Sequence, residues 1–251
     1  MNINIIISPQ GITCLLLKLI GALFIANLIS IYLKWELGYI TALGFVPLFD
    51  FDQEYNLPTF YSTLALLYCA VLLWYISVEN KNKNIAHSHY WKLLSLLFLV
   101  LSFDEMSSFH NQFSRLTKLV FHNITSIANG EIISQSRFWI LTYFPILLIV
   151  GVYFIPFFLK IPKKTRKSFV IAGTVFIGGA VGVELLGDWY IIFWSEADIY
   201  YALLFTLEEL FEMIGVLLFI RALVTYISNY SVNPHIYARL SFVPSDKSKK
   251  Q

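Results

Sequence analysis

Residues 200–227 read YYALLFTLEELFEMIGVLLFIRALVTYI, and this stretch decides the class of fold. It is long enough for a membrane-spanning helix, which needs roughly 20 mostly apolar residues. Its first half nevertheless carries Glu208, Glu209 and Glu212. A charged side chain at the bilayer centre costs roughly 2.5–3.5 kcal/mol on insertion scales. The stretch therefore predicts a membrane helix whose acids serve a function rather than packing.

The overall composition is also that of a membrane protein. Of 251 residues, 57% are hydrophobic and 14% are charged, whereas soluble domains average about 45–50% apolar and about 25% charged residues. The mean hydropathy is +0.67. These values exclude a disordered chain, a nucleic-acid-binding domain and an ordinary cytosolic enzyme. We therefore expect membrane lipids as the surroundings and no nucleic-acid partner.

Six segments have the length and apolar character of a spanning helix. They are residues 14–33, 60–78, 91–108, 138–159, 169–187 and 200–227. The sequence thus predicts an all-α polytopic membrane protein with six transmembrane helices. In this interpretation residues 1–230 form the transmembrane domain. Residues 231–251, with two prolines and a Ser/Lys-rich end, form a loosely ordered cytoplasmic tail.

The basic residues orient the bundle, because Lys and Arg collect on the cytoplasmic side of a membrane. Most of the 18 lie in loops 79–90 and 160–168 and in the tail after residue 230. Both termini are therefore predicted to be cytoplasmic, in agreement with an even number of helices. Lys18 lies in the first helix near its cytoplasmic end, where its ammonium group can snorkel to the interface. The acids concentrate instead in the outer loops and the outer halves of the helices.

Residues 110–131 are too polar to span a membrane but carry one helical stripe of apolar side chains. The stripe advances in steps of three and four through Phe113, Leu116, Val120, Ile124 and Ile127. We expect an amphipathic helix lying on the outer surface. A simple connector between two spans is the alternative.

Carboxylates recur at a similar depth in three of the predicted helices. Asp104 and Glu105 lie near the outer end of the third helix, and Glu184 lies about one turn from the outer end of the fifth. In the sixth helix, Glu208 and Glu212 lie about 12 Å and about 18 Å from the outer end. Because these two are four residues apart, they share a face.

The fifth helix also carries small residues next to its acid. Gly178 and Gly182 form a small-xxx-small pair, which allows another backbone to approach closely. We therefore expect tight helix contact around Glu184.

Several carboxylates at low dielectric cannot all be ionised, so some hold protons or share a cation. A divalent metal ion would take their oxygens as ligands, with a histidine beside them. The residues assigned to such a site are Asp104, Glu105, His110, Glu184, Glu208 and Glu212. No His lies three residues from a predicted membrane acid, which disfavours the Glu-x-x-His pattern of di-iron bundles. Binding of a proton or a hard cation is therefore preferred to redox chemistry.

A simpler alternative places some of these acids in water. Asp104 and Glu105 can end the third helix at the interface, and His110 is then an ordinary interfacial histidine. Glu208 and Glu209 can lie in a solvated outer vestibule if the sixth helix begins later.

The first outer loop carries a second group of acids. Asp50, Asp52 and Glu54 alternate along the chain, as the first ligands of a calcium loop do. The loop lacks the following Gly and the distal Glu of that motif. We expect it to capture cations at the mouth of the bundle, with a solvated acidic turn as the alternative.

Four stretches resemble motifs of an uncharacterised family of bacterial integral membrane proteins with six helices. They are LFDFDQEYNLPTF at 48–60, LSFDEMSSFH at 101–110, GGAVGVELLGD at 178–188 and TLEELFEMIGVLLFIRAL at 206–223. The resemblance implies the six-helix fold and a multi-pass location in a bacterial cytoplasmic membrane, and it marks the acids, but it implies no reaction. In that family a Glu follows the His of the second motif, whereas this chain has Asn111.

The leading hypothesis is a transporter, channel subunit or sensor that binds a cation or proton in an outward-facing acidic cavity. A membrane-embedded, metal-dependent enzyme acting on a lipid or quinone is the second hypothesis. The third is an accessory or assembly subunit of a membrane complex, or a homo-oligomer, whose acids pair with basic residues of a partner.

Overall fold

A computed structural model of the chain describes residues 2–6, 8–82, 87–109, 137–194, 198–230 and 237–241. The long helices are α1 (Pro9–Trp35), α3 (Leu57–Asn82), α4 (Ser88–Ser107), α5 (Arg137–Lys160), α6 (Lys163–Ile177) and α8 (Ile199–Tyr230). A 3₁₀ turn (Ala42–Gly44) leads into the short helix α2 (Phe45–Phe49), and a π-helical turn (Gly178–Val183) joins α6 to α7 (Glu184–Phe193). Strands β1 (Asn2–Ile6) and β2 (Tyr237–Ser241) complete the described elements.

The helical class predicted from the sequence is confirmed, and each of the six predicted segments coincides with helix, apart from the capping residue Ser108. Four helices are long and apolar enough to cross a membrane: Pro9–Trp35, Leu57–Asn82, Lys163–Ile191 and Ile199–Tyr230. Within α5, the stretch Pro145–Lys160 is apolar but shorter than these four. Helix α4 carries three charged residues, Lys92, Asp104 and Glu105, and is not one of these four.

Local sequence explains where the helices begin and end. Ser8 caps α1, because its hydroxyl accepts a hydrogen bond from the Gly11 N–H at 3.0 Å and Pro9 follows at the first helical position. Asn56 caps α3 through a 3.1 Å bond from the Thr59 N–H to its Oδ1. Helix α4 ends where Ser108 takes a left-handed conformation, with φ of 50°.

Helix α8 lies at the centre of the bundle and contacts α1, α3, α6, the π-helical turn and α7. It runs antiparallel to α1, because Asn27 bonds to Thr206 while Ile20, seven residues earlier, packs with Met213, seven residues later. The main apolar core, in which α3 and α8 are the largest contributors, includes Leu72, Leu73, Ile76, Ile220 and Leu223. On α8 almost all buried residues lie from Met213 to Ile227. The portion before Met213, with the glutamates, is less tightly enclosed.

Helices α3 and α4 form an antiparallel hairpin fastened by serine side chains. Each serine hydroxyl donates to a backbone carbonyl of the opposite helix, and the bonds recur every seven residues. They run from Ser77 to Ser88 at 3.0 Å, from Ser95 to Ala70 at 2.7 Å and from Ser102 to Thr63 at 2.9 Å. Small polar residues that bond across helices are typical of helix contacts within membranes.

The two ends of the chain meet in a two-stranded antiparallel ribbon. Strand β1 pairs with β2 in a register that places Asn2 opposite Ser241 and Ile6 opposite Tyr237. Part of the tail interpreted from sequence as loosely ordered is thus a strand, and its partner is too distant in sequence for any local pattern to indicate. The predicted amphipathic helix at 110–131 lies outside the described residues.

Candidate functional site

The register of α4 against α8 brings carboxylates of the two helices together. The rings of Trp91 and Tyr226 lie 4.9 Å apart, and those of Phe98 and Phe219 stack at 4.8 Å. Each step of seven residues up α4 matches seven residues back along α8, as expected for two antiparallel helices. One further step places Glu105 opposite Glu212, and these two side chains interact electrostatically.

Glu212 is the centre of a wider group of acids. It also interacts with Glu209, Glu208 and Glu184, and Glu209 interacts with Glu105, Glu208 and Glu54. We call the six residues Glu54, Glu105, Glu184, Glu208, Glu209 and Glu212 the acid cluster. Its members come from the loop between α1 and α3 and from helices α4, α7 and α8. All are partly buried except Glu54, which is exposed.

The π-helical turn brings the start of α7, and with it Glu184, against α8. Gly179 lies so close to α8 that a Cβ atom there would be 2.7 Å from the Glu208 carbonyl oxygen and 3.2 Å from the Glu212 nitrogen. Gly215 lies one helical turn after Glu212 on α8, and a Cβ there would be 2.7 Å from the backbone nitrogen of Phe176. The two glycines thus let the backbones meet on both sides of Glu212.

The glycines predicted to make this contact were the wrong ones. A Cβ on Gly178 or Gly182 would meet nothing within 4 Å. Phe176 contacts Gly215 of α8, and Gly179, three residues later, lies on the same helix face. Gly179 rather than Gly178 or Gly182 therefore lies against α8.

The loop between α1 and α3 is held by polar contacts to α1. The Lys34 Nζ atom lies 2.8 Å from Oδ2 of Asp50, whose side chain is only 5% exposed. The other carboxylate oxygen of Asp50 accepts the Asp52 N–H at 3.2 Å. Of the three acids predicted to capture cations, Asp50 is therefore engaged within the protein. Asp52 and Glu54 are exposed, and Glu54 belongs to the acid cluster through its interaction with Glu209.

The remaining predicted site residues are Asp104 and His110. Asp104 is partly buried in the last turn of α4, and it is not among the acids named above as neighbours of Glu209 and Glu212. His110 lies outside the described residues. Within the described part of the chain, no three His, Cys, Asp or Glu side chains lie close enough together to hold a metal ion.

Two residues that bear on the site are absent from the set predicted from the sequence. Glu209 was placed only in a solvated vestibule together with Glu208, yet it interacts with Glu54, Glu105 and Glu208. Asn27 is fully buried and ties the loop between α1 and α3 to α8. Its signal was present in the sequence, as a single amide inside an apolar run, because polar side chains in membrane helices face the protein interior.

A family model described as "Domain of unknown function (DUF8692)" matches residues 16–227. The match covers most of the chain, including the whole acid cluster, and the chain belongs to this family. No match was found among curated proteins or among solved structures.

Proposed function

We propose that this member of the DUF8692 family is an integral membrane protein that binds protons or a cation at the acid cluster. The observation that carries the proposal is that Glu212 interacts with four other carboxylates, which come from three helices. Like charges at low dielectric repel strongly, and the repulsion must be relieved by protons, by a cation or by basic groups. A site that binds and releases positive charge follows from this arrangement.

A proton or a loosely coordinated cation suits the cluster better than a resident divalent metal. Divalent metals require several oxygen or nitrogen ligands converging at about 2.0–2.6 Å. The described acids interact electrostatically without forming such a group of three. Protons need no convergence, because one proton on any member lowers the repulsion among all of them.

The entrance to the cluster lies at the first outer loop in this proposal. Glu54 is exposed and interacts with Glu209, so it links bulk solvent to the partly buried acids. An exposed acid at the mouth attracts cations by its field. The ion pair of Asp50 with Lys34 keeps the loop in place, so Glu54 stays near Glu209.

Six membrane crossings with both termini in the cytoplasm complete the proposed arrangement. Helix α8 runs antiparallel to both α1 and α4, which supports an even number of crossings, as does the pairing of β1 with β2. With the basic loops on the cytoplasmic side, the acid cluster lies in the outer half of the membrane.

The test is ion flux into proteoliposomes that contain the purified protein. A proton gradient or a gradient of one cation is imposed, and the flux is followed with a pH-sensitive or ion-sensitive dye. We expect Glu212→Gln to reduce the protein-dependent flux by roughly tenfold or more, since removing the central charge removes a site that the other acids share. Glu36→Gln, an exposed acid at the end of α1 outside the cluster, is the matched control and should leave the flux unchanged.

Other outcomes would contradict the proposal. Equal flux through both variants would show that the cluster does not carry the ion. Stoichiometric transition metal in the detergent-purified protein, without flux, would favour the metal-dependent enzyme. The absence of both, with a fixed co-purifying subunit, would favour the accessory role.

A further inference from the structure

Two basic residues lie within the membrane helices, toward the chain termini from the acid cluster. Lys18 is nine residues after the start of α1 at Pro9, and Arg221 is nine residues before the end of α8 at Tyr230. The pairings of Asn27 with Thr206 and of Ile20 with Met213 set the register of the two antiparallel helices. In this register Lys18 is level with Gly215, about 9 Å along the bundle axis from Arg221, and both side chains line one cavity.

A cavity of about 380 Å³ opens between the two helices beside these basic residues. Its walls are Gln10, Thr13, Cys14, Leu17, Lys18 and Arg221. Both basic side chains are exposed, and their helices present apolar residues such as Leu15 and Leu19 to the surroundings. The cavity thus combines two positive charges with an apolar flank.

Neither cation is neutralised by the part of the protein that the structure describes. In that part of the chain Lys34 pairs with Asp50 at the other end of the bundle, and neither Lys18 nor Arg221 takes part in an ion pair. The described hydrogen bond at Arg221 is one that its backbone carbonyl accepts from Thr225, which leaves the guanidinium uninvolved. Uncompensated charge in a membrane helix is costly, so an anion from outside the chain is the natural partner.

Helix lengths indicate that the anion lies at the membrane interface. With 27 residues α1 is about 40 Å long, and with 32 residues α8 is about 48 Å long. The hydrocarbon core is about 30 Å thick, so both helices extend beyond it. The α-carbon of Lys18 then lies several ångströms below the edge of the hydrocarbon and that of Arg221 lies nearer to this edge, and their long side chains reach toward the level of the lipid phosphates.

We propose that this cavity binds the phosphate of an anionic phospholipid from the leaflet on the side of the chain termini. The Arg221 guanidinium can bind two phosphate oxygens at once, and the Lys18 ammonium adds a point charge. The Gln10 amide, nearer the end of the helix, can donate to the headgroup, while an acyl chain lies along the apolar flank beside Leu17. Basic pockets between membrane helices are sites of this kind. The proposal does not depend on the function of the acid cluster.

Native mass spectrometry of the delipidated, full-length protein in detergent tests this site. Phosphatidylglycerol, phosphatidylcholine and inorganic phosphate are titrated separately. We expect phosphatidylglycerol to bind best. Each basic residue near a membrane surface contributes about 1 kcal/mol of attraction to anionic lipid, which is about fivefold in affinity. Lys18→Gln combined with Arg221→Gln should therefore weaken phosphatidylglycerol binding by about 25-fold.

Two further variants make the result specific. Lys164→Gln removes one exposed charge at the start of α6, outside the cavity, and should leave binding unchanged. Lys18→Arg combined with Arg221→Lys keeps both charges and should retain most of the affinity even if the neutral variant fails to fold. Equal binding of phosphatidylcholine, equal weakening by Lys164→Gln, or loss of binding in the charge-preserving variant would overturn the proposal. Displacement of lipid by millimolar inorganic phosphate would also overturn it, since the ligand would then be a free anion.

Discussion

At the scale of single residues, Asn27 shows how one buried amide connects three parts of the bundle. Its side chain is 0% exposed. Its Nδ2 donates to the Thr206 hydroxyl at 2.9 Å, and its Oδ1 accepts the Phe51 N–H at 2.9 Å. One side chain therefore joins α1, the loop between α1 and α3, and α8. Its partners lie two and three residues from Glu208 and Glu54 in the chain, so Asn27 helps to position the acid cluster without belonging to it.

We expect Asn27→Leu to destabilise the protein. Leucine is similar in size but leaves the buried Phe51 N–H without an acceptor, and an unsatisfied buried donor costs roughly 1–3 kcal/mol. Thermal unfolding in detergent should show a lower Tm. Asn229→Leu, an exposed position near the end of α8, is the control. A Tm equal to that of the unchanged protein would mean that the amide bonds contribute nothing to stability.

At the scale of elements, the contact between the π-helical turn and α8 depends on which glycine faces the partner helix. Gly179→Ala should place a Cβ within 3 Å of the Glu208 carbonyl oxygen and of the Phe211 side chain. Overpacking of this kind typically costs about 1–3 kcal/mol. Because α7 would have to move away from α8, Glu184 would lie farther from Glu212. We therefore also expect that replacing Glu184 changes the ion flux less in this variant than in the unchanged protein.

Gly178→Ala is the matched control, one residue earlier in the same turn. Its Cβ would meet nothing within 4 Å, and alanine within a helix is favoured over glycine by roughly 0.5–1 kcal/mol. Urea or thermal unfolding should therefore separate the two variants in opposite directions. If both lowered stability equally, the close approach at Gly179 would not be what holds the elements together.

At the scale of the whole molecule, an arrangement with six crossings makes a prediction about sidedness. Single cysteines at Leu37, Gln10, Lys164 and Asn229, in a Cys14→Ser background, can be labelled with a membrane-impermeant maleimide. We expect Leu37→Cys to be labelled in intact cells and the other three only after lysis. The buried native Cys69 is 0% exposed and should stay unlabelled. Labelling of Gln10→Cys and Asn229→Cys from opposite sides would mean an odd number of crossings.

Much of the architecture follows from local sequence. Length and hydropathy located the helices, because a long apolar run in a chain of this composition must satisfy its backbone hydrogen bonds internally. Four of the six predicted spans meet the length and hydropathy of a membrane helix in the structure, and the number six stays a prediction. The position of each acid along its helix also follows from the sequence, because the rise per residue is constant in an α-helix.

The sequence by itself therefore determined that this is a helical membrane protein, and it predicted a similar depth for the carboxylates of three helices. The tertiary structure decided which acids are neighbours, which glycine makes the close contact and that Asp50 pairs with Lys34. Depth depends on position along one helix, a local quantity. Neighbours depend on the rotation and register of separate helices, which are set by side chains far apart in the chain, such as the stacked rings of Phe98 and Phe219 that align Glu105 with Glu212.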